Sequence, residues 1–146
     1  MIHLNRISFI LLVSILTIAS FWRVLSFDFW RDDWSTHWIA LYQPSFLIHL
    51  SQHPFTWVGE WVFVRVFGFN PIFWHSFGII LQVFASLALS LMVWGITRSK
   101  RIAILSGLFF APAVVGSSTL SFSHAQVVLI QFILICLGLY FWFQNM

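Results

Sequence analysis

Asp32 and Asp33 are the residues of this 146-residue chain best placed by type and spacing to do chemistry. Two adjacent carboxylates repel, which makes one of them the better proton acceptor, and together they can share a divalent cation through oxygen ligands. Such a pair suits a general base or a metal site. It suits equally a solvated helix start, where acids meet the N-terminal dipole. His37 follows Asp33 by one helical turn and can pair with it. His49 and His53 share that spacing, but Pro54 and the break before it argue against a regular metal-binding helix. The sequence holds no HExxH, no glycine-rich phosphate loop and no serine nucleophile elbow. Its basic residues form no nucleic-acid stripe. The lone Cys136, inside an apolar run, excludes a disulfide or a cysteine-based metal site within one copy and reads as a packed or lipid-facing side chain.

The elements that must hold these groups are set by composition. Hydrophobic residues make up 60% and charged residues 8%, with a mean hydropathy of +0.93. A soluble domain carries roughly 25% charged residues, so this chain lacks the charge to cover a water-facing surface. It reads as an all-α integral membrane protein. Apolar runs near the length of a span, about 20 residues, predict four transmembrane helices at about 7–27, 71–97, 102–118 and 125–143. The first ends near Arg23, which can snorkel, and its run is too long for the core of a cleaved signal peptide, so it reads as an anchor. The second has no charge from Phe77 to Thr97 and can begin as early as Pro71; Pro112 is expected to kink the third. Gln126 and Gln131 are the only strongly polar members of the fourth.

Arg6 and the cluster Arg98, Lys100 and Arg101 are separated by two spans, which puts both on one side. Basic short loops face the cytoplasm. The N-terminus is therefore expected to be cytoplasmic and the 28–70 loop extracytoplasmic, as is the segment from Ser117 to His124. All four acidic residues, Asp28, Asp32, Asp33 and Glu60, fall in the 28–70 loop. So do Trp30, Trp34, Trp38, Trp57 and Trp61, with Trp22 and Trp74 at its edges. Tryptophan favours the membrane–water interface. Trp30, Trp34 and Trp38 share a helical stripe with Leu41 and Tyr42; Trp57, Trp61 and Val64 form a second before Gly68 and Pro71. The expectation is two interfacial amphipathic helices that hold the acids just above the hydrocarbon. His75 and His124 fall near the outer ends of spans two and four, and small residues such as Ser86 and Ser90 are read as outward-facing surfaces for helix packing.

This order of features resembles the start of membrane glycosyltransferases of the GT-C superfamily, which include the protein O-mannosyltransferases, the aminoarabinose transferases and RgtA/B/C/D-like bacterial proteins. The first span leads to an outside loop that opens FDFWRDDW. The stretch HPFTWVGEWVFVRVFGFNPIFWHSFGIILQVFASLALSLMVW is similar to the family run in which a Pro-containing helix meets Phe-Gly-x-Asn-Pro, then a His-bearing helix start and a long span. SKRIAILSGLFFAPAVVGSSTLSFSHAQ is similar to the family's basic turn, proline-containing span and short outside segment. Many relatives carry a Trp and an Arg in that segment, where this chain has Ser121, Phe122 and Ser123. Family members usually have more spans, so the resemblance implies an N-terminal portion or a reduced relative.

The resemblance implies transfer of a sugar from a polyprenyl-phosphate or polyprenyl-diphosphate carrier to an acceptor at the outer face of a membrane, expected to be the bacterial inner membrane. Carried onto this sequence, it makes Asp32 the leading catalytic residue, Asp33 its partner and Asp28 a third candidate, with a divalent cation in some branches. The departing phosphate needs cationic help; Arg31, Arg65 and His75 are the outside groups that can supply it, though the arginines also suit plain interface anchoring. The partners expected are the bilayer and the polyprenyl-linked donor. The competing reading is a small non-catalytic four-span protein, an accessory or assembly subunit. A transporter fragment is disfavoured, because intramembrane charges mark transport paths and the last three spans have none.

Overall fold

The computed structural model describes residues 5–28, 31–42, 54–113 and 126–146, with side chains for all of these except 31–34, 55 and 56. The described residues are helical and contain no strand. Helix α1 (Arg6–Phe21) continues into a 3-10 turn at Trp22–Ser26, and is followed by α2 (Arg31–Tyr42), α3 (Pro54–Phe67), α4 (Pro71–Thr97), α5 (Lys100–Phe110) and α6 (Gln126–Asn145). Among the described residues, three elements are long and apolar enough to cross a membrane: Arg6–Ser26, Pro71–Thr97 and Gln126–Asn145. Their most apolar windows have mean hydropathies of 2.0, 2.2 and 2.1. The chain is thus a multi-pass membrane protein, all-helical in its described elements.

Helix α5 has 11 residues, about 16 Å of rise against a hydrocarbon core of about 30 Å. It stops where Ala111 and Pro112 form a turn, since proline has no N–H to continue the ladder. Residues 114–125, which hold the rest of the expected third span and the segment from Ser117 to His124, lie outside the described residues. So do His49, His53 and Pro44.

The boundaries follow from local chemistry. Asn5 caps α1, its Oδ1 accepting from Ser8 N at 2.7 Å. The turn from α3 to α4 is built by Gly68, whose φ of +60° suits a residue without Cβ, and by Asn70, whose Oδ1 accepts from Ile72 N at 3.1 Å. Pro71 then fills the first helical position, where an N–H is not needed. Ser99 caps α5, and Arg98 adopts a left-handed φ of 54° to close α4.

Helix α4 is the central post, packed most extensively against α6 and α5 and also against α1. The core joins Phe21 and Val24 to Ile79, Leu81 and Ala85 of α4 and Leu129 of α6. Val13, Thr17 and Phe21, four residues apart, are the buried stripe of α1. Polar clasps replace the hydrophobic drive that lipid does not supply. Gln82 Nε2 donates to Phe110 O at 3.0 Å, satisfying a carbonyl at the end of α5, and Phe110 stacks on Phe132 of α6 at 5.2 Å. Arg98 donates to Phe143 O at 2.8 Å and to Gln144 Oε1 at 3.0 Å. Arg6 and Lys100 line one groove, so the start of α1, the 98–101 turn and the end of α6 share one end of the bundle.

Ser86 and Ser90 face inward, not outward: both are buried, and their hydroxyls donate to the carbonyls of Gln82 and Ser86. They let α5 approach closely. A Cβ added at Gly107 would collide with Ser90 Oγ and stand 3.0 Å from Ser86 O and 3.1 Å from Phe9 Cζ. Gly107→Ala is therefore expected to destabilise the bundle by about 1–3 kcal/mol, the usual cost of overpacking. Unfolding in detergent checks this, and Gly107→Ala/Ser90→Ala, which removes the nearest clash, should recover part of the loss.

Candidate functional site

The end of the bundle opposite the basic turn carries α2 and α3 against the start of α4. Among the polar residues enclosed there, two meet each other across helices. His37 of α2 and Glu60 of α3 are both 0% exposed, with Nε2 of the imidazole 2.9 Å from Oε1 of the carboxylate. An isolated charge in such a place costs several kcal/mol unless it is paired. Each side chain therefore fixes the other's position, and the pair fastens α2 to α3.

Trp74 builds the wall behind the pair. Its ring stacks on His37 at 4.5 Å, meets Phe63 and Phe67 edge-on at 5.9 Å each, and is fully buried. Its indole Nε1 donates to Gly68 O at 2.9 Å, which clamps the turn between α3 and α4. Its carbonyl accepts from Gln126 Nε2 at 2.8 Å, tying in the start of α6. Phe69 closes another side of His37 at 5.7 Å. Trp74 was expected to be an interface anchor; it is instead the hub of this corner, because an indole N–H with a backbone partner can be buried without loss.

The carboxylate pair expected to carry chemistry falls in the first turn of α2. The backbone of residues 31–34 is helical, while the side chains of Arg31, Asp32 and Asp33 lie outside the described residues. His37 meets Glu60; the pairing with Asp33 that its spacing allows involves a side chain outside the described residues. Asp28 is exposed just beyond the 3-10 turn. Arg65 is exposed on α3, its guanidinium 4.4 Å above the Trp61 ring, a cation–π contact. His75 is fully enclosed. The expected stripes are split: on α2, Trp38 and Tyr42 are exposed and their rings meet at a tilt, 4.5 Å between centroids, while His37 and Ala40 are buried. On α3, Trp61 is exposed and Glu60 and Val64 are buried.

Glu60 was counted with the acids at the membrane surface, and it is instead inside. A signal was available. It is the one acid of a helix whose neighbours are Val58, Trp61, Val62, Phe63 and Val64, and an acid on an apolar helix calls for an enclosed partner. Among the described residues no group of three or more His, Cys, Asp or Glu side chains converges to hold a metal. What the geometry offers is an enclosed histidine–carboxylate pair that orients a helix, next to a helix start bearing two more acids.

No family model, curated protein or solved structure matches the chain.

Proposed function

We propose that this chain is the catalytic-face portion of a GT-C-type glycosyltransferase that moves a sugar from a polyprenyl-phosphate-linked donor to an acceptor at the extracytoplasmic face of a bacterial inner membrane. The observation that carries the reading is the enclosed His37–Glu60 pair, which docks α2, and with it the backbone of Asp32 and Asp33, onto the bundle end. A base that acts on a lipid-linked donor must stand at a fixed height near the membrane surface, and positioning supplies much of the rate.

In this reading Asp32 accepts the proton of the acceptor hydroxyl as its oxygen bonds to the anomeric carbon. The bond from that carbon to the carrier phosphate oxygen breaks, and the phosphate leaves with the electron pair. Arg65, held over Trp61 at the exposed face of α3, and Arg31 neutralise the departing phosphate. Asp33 partners Asp32, alone or through a divalent cation, and Asp28 is the reserve acid; His75, expected among the outside cationic groups, is enclosed and takes no part in holding the phosphate.

The proposed topology has four spans, with α5 and the residues after it forming the third, and the N-terminus in the cytoplasm. Its support is charge. Arg6, Arg98, Lys100 and Arg101 gather at one end and all four acids belong to the segment at the other, the pattern of a positive inside. α2 and α3 are proposed to lie in the outer interface, exposing Trp38, Tyr42 and Trp61 to lipid headgroups. After replacement of Cys136, a cysteine at Ser51 should label from outside intact cells and one at Ser99 only after permeabilisation. Labelling of Ser51→Cys from the cytoplasm alone would overturn this orientation.

The function is tested at the native locus. Membranes from cells lacking the gene should lose transfer of label from a polyprenyl-phosphate hexose or pentose to the extracytoplasmic acceptor, and regain it on complementation. Unchanged transfer, donor by donor, removes the enzymatic reading and leaves the non-catalytic four-span protein.

A further inference from the structure

At the basic end, the bundle has a groove of about 650 Å³ between α1, α4 and α5. This is within the range of pockets that enclose small ligands, roughly 300–1,000 Å³. Its walls are apolar, with Phe9, Leu87, Leu91 and Ile104 among them, and its mouth carries the cationic Arg6 and Lys100. Both cations are exposed. Two helices also start here, α1 at Asn5 and α5 at Ser99, and their unpaired N–H groups add positive potential. The ends of α4 and α6 oppose this with carbonyls, but Arg98 already engages Phe143 O. No acid belongs to this end: all four lie between Asp28 and Glu60.

An apolar trough with cations at its rim has the complementarity of one kind of occupant. We propose that this groove is a binding site for a single anionic phospholipid of the inner leaflet, its acyl chain along Phe9, Leu91 and Ile104 and its phosphate between Arg6 and Lys100. Basic pockets between spanning helices hold anionic headgroups in this way. A zwitterionic lipid has the same chains but brings its own cation to the rim, so it lacks the charge match. The lipid wedges α1 against α5, two elements that touch each other less than either touches α4. The site lies at the opposite end from α2 and α3; its assignment to the inner leaflet rests on the proposed orientation and not on the enzymatic reading.

The test is lipid titration of the purified full chain in detergent, read by native mass spectrometry and thermal unfolding. Phosphatidylglycerol should bind saturably at one molecule per chain and raise the unfolding temperature, and phosphatidylcholine should do neither. Each basic side chain near an anionic headgroup is worth about a factor of five, so Arg6→Gln/Lys100→Gln should weaken phosphatidylglycerol binding about 25-fold. Arg23→Gln, in the 3-10 turn that follows the far end of α1, should leave it unchanged. Leu91→Trp keeps both cations and fills the trough, and should also release the lipid. Helicity by circular dichroism verifies that each variant is folded. Equal retention of the two lipids, or wild-type affinity in the double glutamine variant, overturns the proposal. So does retention of lipid in Leu91→Trp. Inorganic phosphate reproducing the Arg6- and Lys100-dependent stabilisation would assign the cations to a free anion, and a dimer that excludes phosphatidylglycerol would assign the groove to a second copy; either result also overturns it.

Discussion

Asp32→Asn at the native locus is expected to lower sugar transfer by about 10²–10⁴-fold, the share of a general base, with expression and membrane insertion unchanged. Asparagine keeps the size and the hydrogen bonding of aspartate and removes only the charge and the ability to accept a proton. The substitution therefore isolates the chemical role. Asp33→Asn should give a smaller loss, or one partly restored by added divalent metal if the two carboxylates share an ion. The alternative is a solvated helix start. In that case either substitution costs only the dipole interaction, about 0.3–1 kcal/mol, and has no specific effect on rate. Near-wild-type turnover in Asp32→Asn removes this residue from the mechanism and moves the role to Asp28 or Asp33. The reading also demands that the loss appear in the chemical step. Donor retention by Asp32→Asn membranes should match wild type, because the base acts on the acceptor and not on the carrier.

The parts of the architecture that were legible in the sequence are those written in local chemistry. Asn70 and Pro71 mark the start of α4, Gly68 marks the turn before it, and both functions are met within a few residues of chain. The long uncharged run from Phe77 to Thr97 admits no other reading than a buried or lipid-facing helix, and α4 covers it. The separation of Arg6 from the 98–101 turn by two spans required a shared end, and the two meet at one groove.

What escaped was set by packing between distant segments. Tryptophan spacing alone does not say which face of α2 turns to protein, and the answer rests on His37 finding Glu60. Trp74 looked like an anchor because its type favours interfaces. Its burial depends on Gly68 O and Gln126 arriving from two other places in the chain. The inward turn of Ser86 and Ser90 depends likewise on Gly107 lying opposite them. Periodicity reports that a helix has an apolar face; it does not report what that face meets.

The second large effect concerns the enclosed pair. Glu60→Ala is expected to destabilise the fold by about 3–5 kcal/mol, the cost of leaving one member of a buried pair without its partner. Its readout is reversible unfolding in mixed micelles. His37→Ala should cost a similar amount, and it also removes the stack on Trp74. Protease sensitivity of the α2–α3 region should rise in both, while the α4–α6 contacts, which do not involve the pair, persist. The informative variant replaces both residues. Glu60→Met/His37→Phe keeps the volumes and the aromatic face towards Trp74 and removes both members of the pair together, and such replacements are often neutral or stabilising. The double variant should therefore recover most of the stability that either alanine variant loses, and the cycle should show strong coupling. If Glu60→Ala instead unfolds within about 1 kcal/mol of wild type, where exposed ion pairs fall, the carboxylate is hydrated in the membrane protein. The pair then does not fasten α2, and the positional argument for Asp32 loses its foundation, whatever the transfer assay finds for Asp32 itself.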